Sequence, residues 1–241
     1  MFNFMYTEFL KLKNSKIFLL TILGAISPAL LMFLANLAEE FDFTYKKLFE
    51  VNTEYMIGLF AVLLCAIIIS YLIGREYNEH TLKLIISAPV SKSKYLLGKY
   101  LMFLVWVLIL MFISGISAFL FGVVGGAKGF SLNVVFDGFY QLLYGGFLLF
   151  LAMSPFMFIA MLINSMVPAM IGGSILVIAN MFAWAHTIAP YFPWMAPFLI
   201  VSGEISQFSC PSFIPYVVIG ITFIIGILIS YIYFIKKDVR L

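Results

Sequence analysis

The sequence predicts an all-α integral membrane protein. It has six transmembrane helices, an interfacial helix before the first, a polar helical loop between the second and third, and a broken apolar hairpin before the sixth. Three observations carry this reading. First, the 241 residues are 64% hydrophobic and only 10% charged, with a mean hydropathy of +1.11; soluble domains carry about 25% charged residues. Second, the apolar residues gather into stretches long enough for spans of about 20 residues. Third, Lys and Arg collect on alternate connections, as the positive-inside bias requires.

The first sixteen residues, MFNFMYTEFLKLKNSK, set Phe2, Met5, Phe9 and Leu12 at near-helical spacing among Glu8, Lys11 and Lys13. That pattern fits an amphipathic helix (1–16) lying in the membrane interface, with its lysines near anionic headgroups. The apolar core that follows is too long for a cleaved signal and has no small-residue cleavage site.

The spans are expected at Ile17–Leu37, Tyr55–Ile73, Leu101–Val124, Gly138–Ile163, Pro168–Thr187 and Phe213–Ile235. Helices are required there because lipid offers no partner to an unpaired backbone group. Pro155 should kink the fourth span. The stretch 189–212 is also apolar, but Pro190, Pro193, Pro197 and Pro211 interrupt it. It reads as short helical pieces that lie at, or dip into, the interface.

With six spans both termini share one side. On that side fall Lys11, Lys13, Lys16, Arg75, Lys83, Lys92, Lys94, Lys99, Lys236, Lys237 and Arg240; only Lys46, Lys47 and Lys128 fall opposite. Both termini and the loop 75–99 are therefore assigned to the cytoplasm. The outer connections hold Glu39, Glu40, Asp42, Glu50, Glu54, Asp137 and Glu204 instead. The acidic, aromatic stretch AEEFDFTYKKLFE is read as an outer loop.

Several chemistries find no footing. Cys65 and Cys210 lie at different depths, and His80 and His186 on opposite sides, so no metal or nucleophile constellation forms. Gly98-Lys99 is not a phosphate-binding loop, because Ser93 stands where its first glycine belongs and Tyr100 where Ser or Thr is needed. No nucleic-acid partner is expected, and no cofactor held by this chain. Gln141 and Asn180 are the polar residues singled out within spans, as pathway-lining or interhelical groups. No Asp, Glu, Lys or Arg stands at the centre of a span, which speaks for an externally powered machine over an ion-coupled carrier. Ser114, Ala118, Gly122 and Gly126 form a small-residue stripe that permits close helix packing within the subunit.

In the basic loop, EYNEHTLKLIIS is helix-compatible and Pro89 closes it. Ser91 can cap a second helix, KSKYLLGKY, that runs on into the third span. A docking helix and a merely solvated basic loop both fit this spacing.

The stretch resembles the first cytoplasmic loop of the ABC-2 type permeases, the membrane subunits of type V ABC exporters. The residues that carry the resemblance are Glu76, Thr81-Leu82, Leu84-Ile85-Ile86, Pro89-Val90-Ser91, Lys92 and Leu96-Leu97-Gly98-Lys99. The amphipathic start, six spans, irregular hairpin and basic tail match the family layout. His80 and Lys92 depart from it where Gly and Arg are common. The resemblance makes 1–241 a single transmembrane domain and makes the loop a coupling helix that seats in a separate ATP-binding subunit. Glu76 and Glu79 are the candidates for ionic contact with that subunit, Tyr77, Leu82 and Ile85 for apolar seating, and Thr81 and Pro89 complete the motif. It also implies two copies of the ATP-binding subunit carrying ATP and Mg, a second permease copy (the same chain or a similar paralogue), and a place in the plasma membrane of a bacterial cell.

Export of a lipophilic or amphipathic substrate is the function implied. Small permeases of this length resemble those that export, or confer immunity to, antimicrobial peptides such as lantibiotics and bacitracin, or that export peptide toxins. Two other classes remain open at this point. A membrane anchor or sensor would dock a signalling protein without ATP-driven cycling. An intramembrane enzyme would need paired His, Asp or Glu within its spans.

Overall fold

The computed structural model describes residues 9, 15–38, 43–78, 92–163 and 165–236. Within them six helices are long and apolar enough to cross a membrane. The expected helix at 1–16 falls almost wholly outside the described residues, as does most of the loop 75–99.

Helix α1 (Lys16–Ala38) comes first. A second helical run follows, made of α2 (Tyr45–Tyr55), a π-helical turn (Met56–Phe60) and α3 (Ala61–Asn78). Helix α4 is Lys92–Val124, α5 Leu132–Ala152 and α6 Ser154–Ile163. Helix α7 is Met166–Trp184, α8 Ala196–Ser202 and α9 Ile214–Lys236. Short 3-10 turns at Ala189–Tyr191 and Glu204–Gln207 flank α8. Gly203, at φ +76°, ends α8 in the left-handed conformation that only glycine adopts without cost.

The run Tyr45–Glu76 is the centre of the bundle. Its most apolar stretch is 83% buried, against 22% for α1, α7 and α9, whose free faces carry residues such as Leu23, Ile175 and Ile224. Those faces are suited to lipid. Helix α7 packs on α3 where Gly173 meets Ala66, a contact with no room for another side chain. Helix α1 packs on α4, where Trp106 Nε1 donates to Thr21 Oγ1 at 3.2 Å.

Two elements differ from expectation. The second helix begins at Tyr45, not Tyr55. Tyr45, Leu48, Phe49 and Asn52 follow helical spacing and are all buried, while Lys46, Lys47 and Glu50 face out. Thr44 caps its start by accepting from Lys47 N at 3.3 Å. The half-polar stretch read as part of an outer loop is thus the amphipathic first turns of a central helix.

The fourth crossing is also more than kinked. It breaks at Met153 into α5 and α6, because Pro155 lacks the N–H that would continue the ladder. Ser154 Oγ then donates to the carbonyls of Thr222 and Phe223 on α9, both at 3.3 Å. The small-residue stripe packs internally: Asn52 Nδ2 donates to Ser114 Oγ at 3.1 Å, Ala118 is buried, and Gly122 lies against the Tyr45 ring. Gly126 falls beyond the end of α4.

Candidate functional site

At 33 residues α4 is about 50 Å long, well beyond the roughly 30 Å hydrocarbon core. Its first two turns lie beside the ends of α3 and α9. These two helix ends are the base of the basic loop.

Tyr95 and Lys99 are four residues apart on α4 and share one face. That face meets Glu76 on α3. Lys99 Nζ lies 2.6 Å from Glu76 Oε1, and the two side chains are 1% and 3% exposed. The Tyr95 hydroxyl donates to the other carboxylate oxygen, Oε2. Both carboxylate oxygens are thus held, which is what a buried charge requires. Lys99 Nζ also sits 5.4 Å from the centre of the Tyr95 ring, within cation–π range. The preceding residue on α3, Arg75, donates from Nη1 to the hydroxyl of Tyr71, one turn back, at 2.6 Å.

The same end of α4 is stitched to α9. Tyr95 stacks on Phe234 with ring centres 5.1 Å apart and planes 13° apart. Lys92 Nζ donates to Ile235 O at 3.0 Å, placing a cation on the unpaired carbonyls at the C-terminus of α9. The Tyr100 hydroxyl lies 3.1 Å from Ser230 Oγ and 3.2 Å from Ser154 O, so it touches both α9 and the break between α5 and α6. Gly226 of α9 packs against that break. Hydrogen bonds and one ring stack thus tie the base of the loop to the final helix and to the α5/α6 break.

Glu76 was expected to face a partner subunit. The structure turns its carboxylate inward onto Lys99 and Tyr95, because α3 and α4 close around it and an unpaired charge there would be costly. Tyr77 lies in the last turn of the α3 backbone. Glu79, Thr81, Leu82, Ile85 and Pro89 fall outside the described residues.

Gln141 and Asn180 take separate places. Gln141 lines a recess of about 130 Å³ between α2 and α5, beside Lys46, Glu50 and Asp137 at the far end of the bundle. Asn180 is 1% exposed and its Nδ2 donates to Gly58 O at 2.5 Å. Gly58 lies in the π turn, where the widened ladder shifts carbonyls out of register and makes one available to a side chain. Asn180 is an interhelical tie between α7 and the central helix.

Sequence reasoning used Lys99 only in the charge bias and in the Leu96-Leu97-Gly98-Lys99 motif, and gave Tyr95 no role. A signal was present: Lys99 is embedded in LLGKYLMF, and a lone cation in such a run needs a partner. The π turn has no comparable signature.

The chain as a whole is similar to known proteins. The model of a family described as ABC-2 family transporter protein matches residues 4–180. The chain is also 31% identical over 196 residues to the bacitracin transport permease protein BCRB of Bacillus licheniformis, spanning 81% of this chain and 94% of that one.

Proposed function

The chain belongs to the ABC-2 family of transporter proteins, and from that premise we propose that it is the permease subunit of an ATP-driven exporter, powered by separate ATP-binding subunits that dock on the loop between α3 and α4. The observation that carries this reading is the buried Glu76–Lys99 pair at the base of that loop. A loop on loose arms would absorb a push. A loop whose two arms are joined by a buried ion pair passes the push to α3 and α4 together, since separating the charges in an apolar setting is costly. Tyr95–Phe234 and Lys92–Ile235 then carry the displacement to α9.

In this reading Glu76 acts inside the permease, as the anchor of the loop. Contact with the ATP-binding subunit falls to Tyr77, Glu79, Thr81, Leu82, Ile85 and Pro89. Two such subunits, each binding ATP and Mg, serve a pair of permeases, because six spans supply half of a central pathway. The bias of Lys and Arg supports a cytoplasmic place for both termini and the loop. The cargo is an amphipathic peptide moved outward. The printed role of the Bacillus licheniformis relative, bacitracin transport, supports that class.

The test is co-purification of the tagged chain from its native membrane in mild detergent, followed by an ATPase assay. A stoichiometric ATPase that is retained by the wild type and lost in Glu79→Lys and Leu82→Asp is the expected result. Recovery of the folded chain with no ATPase, or equal recovery from both variants, would overturn the assignment of the loop.

A further inference from the structure

The far end of the bundle holds a second site. Between the end of α7 and the stretch that leads into α9 lies a cavity of about 490 Å³. Pockets of about 300–1,000 Å³ enclose drug-sized ligands. Its walls include the rings of Trp184, Tyr191 and Phe208, with Thr187, Gln207 and Ser209 supplying hydrogen-bonding groups between them. His186 also lines it, and among the described lining residues none is Asp, Glu, Lys or Arg.

The walls are anchored. The Trp184 ring packs on Phe198 of α8, with ring centres 5.1 Å apart, and Phe198 is 1% exposed. Ala189, Phe198 and Leu199 pack with Ile57 of the π turn in one buried cluster. Trp184 stands one helical turn from Asn180, which ties α7 to Gly58 in that same turn. Asn180 Oδ1 is buried there without a hydrogen-bond partner. The cavity therefore rests on the central helix and is shaped before any ligand arrives.

We propose that this cavity binds a neutral, aromatic or aliphatic segment of an amphipathic peptide, flanked by backbone amides, at the end of the bundle opposite the ATPase loop. This deepens the transport reading, and the choice of a peptide rests on it. The rings give a side chain apolar area at little entropic cost, and the neutral polar groups match peptide N–H and C=O. A cationic segment would lose its hydration there with no carboxylate in the lining to replace it. The volume takes a few residues, so the cavity holds one segment of a larger peptide.

Cys210 lines the cavity, and the only other cysteine, Cys65, is 1% exposed in the core. Alkylation of Cys210 therefore reports occupancy. The chain alone, in phosphatidylcholine nanodiscs without nucleotide, is treated with N-ethylmaleimide with and without bacitracin. The expected result is a saturable slowing of at least about five-fold. Trp184→Ala and the milder Gln207→Ala should bring the rate back to within about two-fold of the peptide-free value. A cationic peptide without aromatic residues should give no protection.

Unchanged labelling at saturating bacitracin would overturn the site. Equal protection in both variants would do so too, as would the same slowing on adding phosphatidylglycerol without peptide, which would make the occupant a lipid. Because the assay uses neither ATP nor an ATPase, failure of the docking reading leaves this result standing. Absence of protection in the wild-type chain, with its ATPase still co-purifying, sinks the cavity alone.

Discussion

Lys99 and Glu76 face each other across the base of the loop at 2.6 Å, with 1% and 3% of their side chains exposed. The pair is the one described cation–carboxylate contact inside the bundle; the other, Lys46–Glu50 at 3.8 Å, lies on the exposed side of α2. Removing one buried partner leaves the other charged without compensation, which costs about 3–5 kcal/mol. Lys99→Met and Glu76→Gln should each lower unfolding free energy by that order. The double variant should lose much less than their sum. Denaturation of the purified chain in mixed micelles, followed by tryptophan fluorescence, checks it; additive losses would mean that the pair is not coupled.

Asn180→Ala removes the donor from Gly58 O and with it the tie between α7 and the π turn. Interhelical hydrogen bonds in membranes are worth about 0.6 kcal/mol and reach about 1.7. A loss in that range is expected, with increased hydrogen exchange at residues 56–60. An exchange pattern identical to that of the wild type would show that the π turn holds itself.

Two glycines of α9 should respond oppositely. A Cβ on Gly226 would stand 2.6 Å from the backbone nitrogen of Pro155, whereas one on Gly220 would meet nothing within 4 Å. Gly226→Ala should therefore destabilise by about 1–3 kcal/mol, as overpacking does. Gly220→Ala should be neutral or slightly stabilising, by up to about 1 kcal/mol. Equal midpoints for the two variants would contradict the close approach of α9 to the α5/α6 break.

Asn52 and Ser114 exchange hydrogen bonds of 3.1 and 3.4 Å between α2 and α4. A double-mutant cycle with Asn52→Ala and Ser114→Ala should return a coupling of about 0.6 kcal/mol. Zero coupling would assign the stripe to shape alone.

The sequence by itself determined the membrane class, the number of crossings and the asymmetry of charge. Each depends on local composition: a run of about 20 apolar residues must be helical in lipid whatever surrounds it. It also marked the loop after α3, because a polar motif between two apolar runs is visible without knowing what packs on what. Tertiary structure decided the rest. Glu76 and Lys99 are 23 residues apart, and Asn180 and Gly58 are 122 apart, so no local window names either partner, although the run around Lys99 shows that it needs one. Whether Glu76 points at a partner or at Lys99 depends on how α3 and α4 approach each other. Whether residues 45–55 form a loop or a helix depends on α4 and α5 being present to cover Tyr45 and Phe49. Composition tells a membrane helix where to go, but lipid is as apolar as a neighbouring helix, so the choice of neighbour rests on small residues and hydrogen bonds distant in the chain.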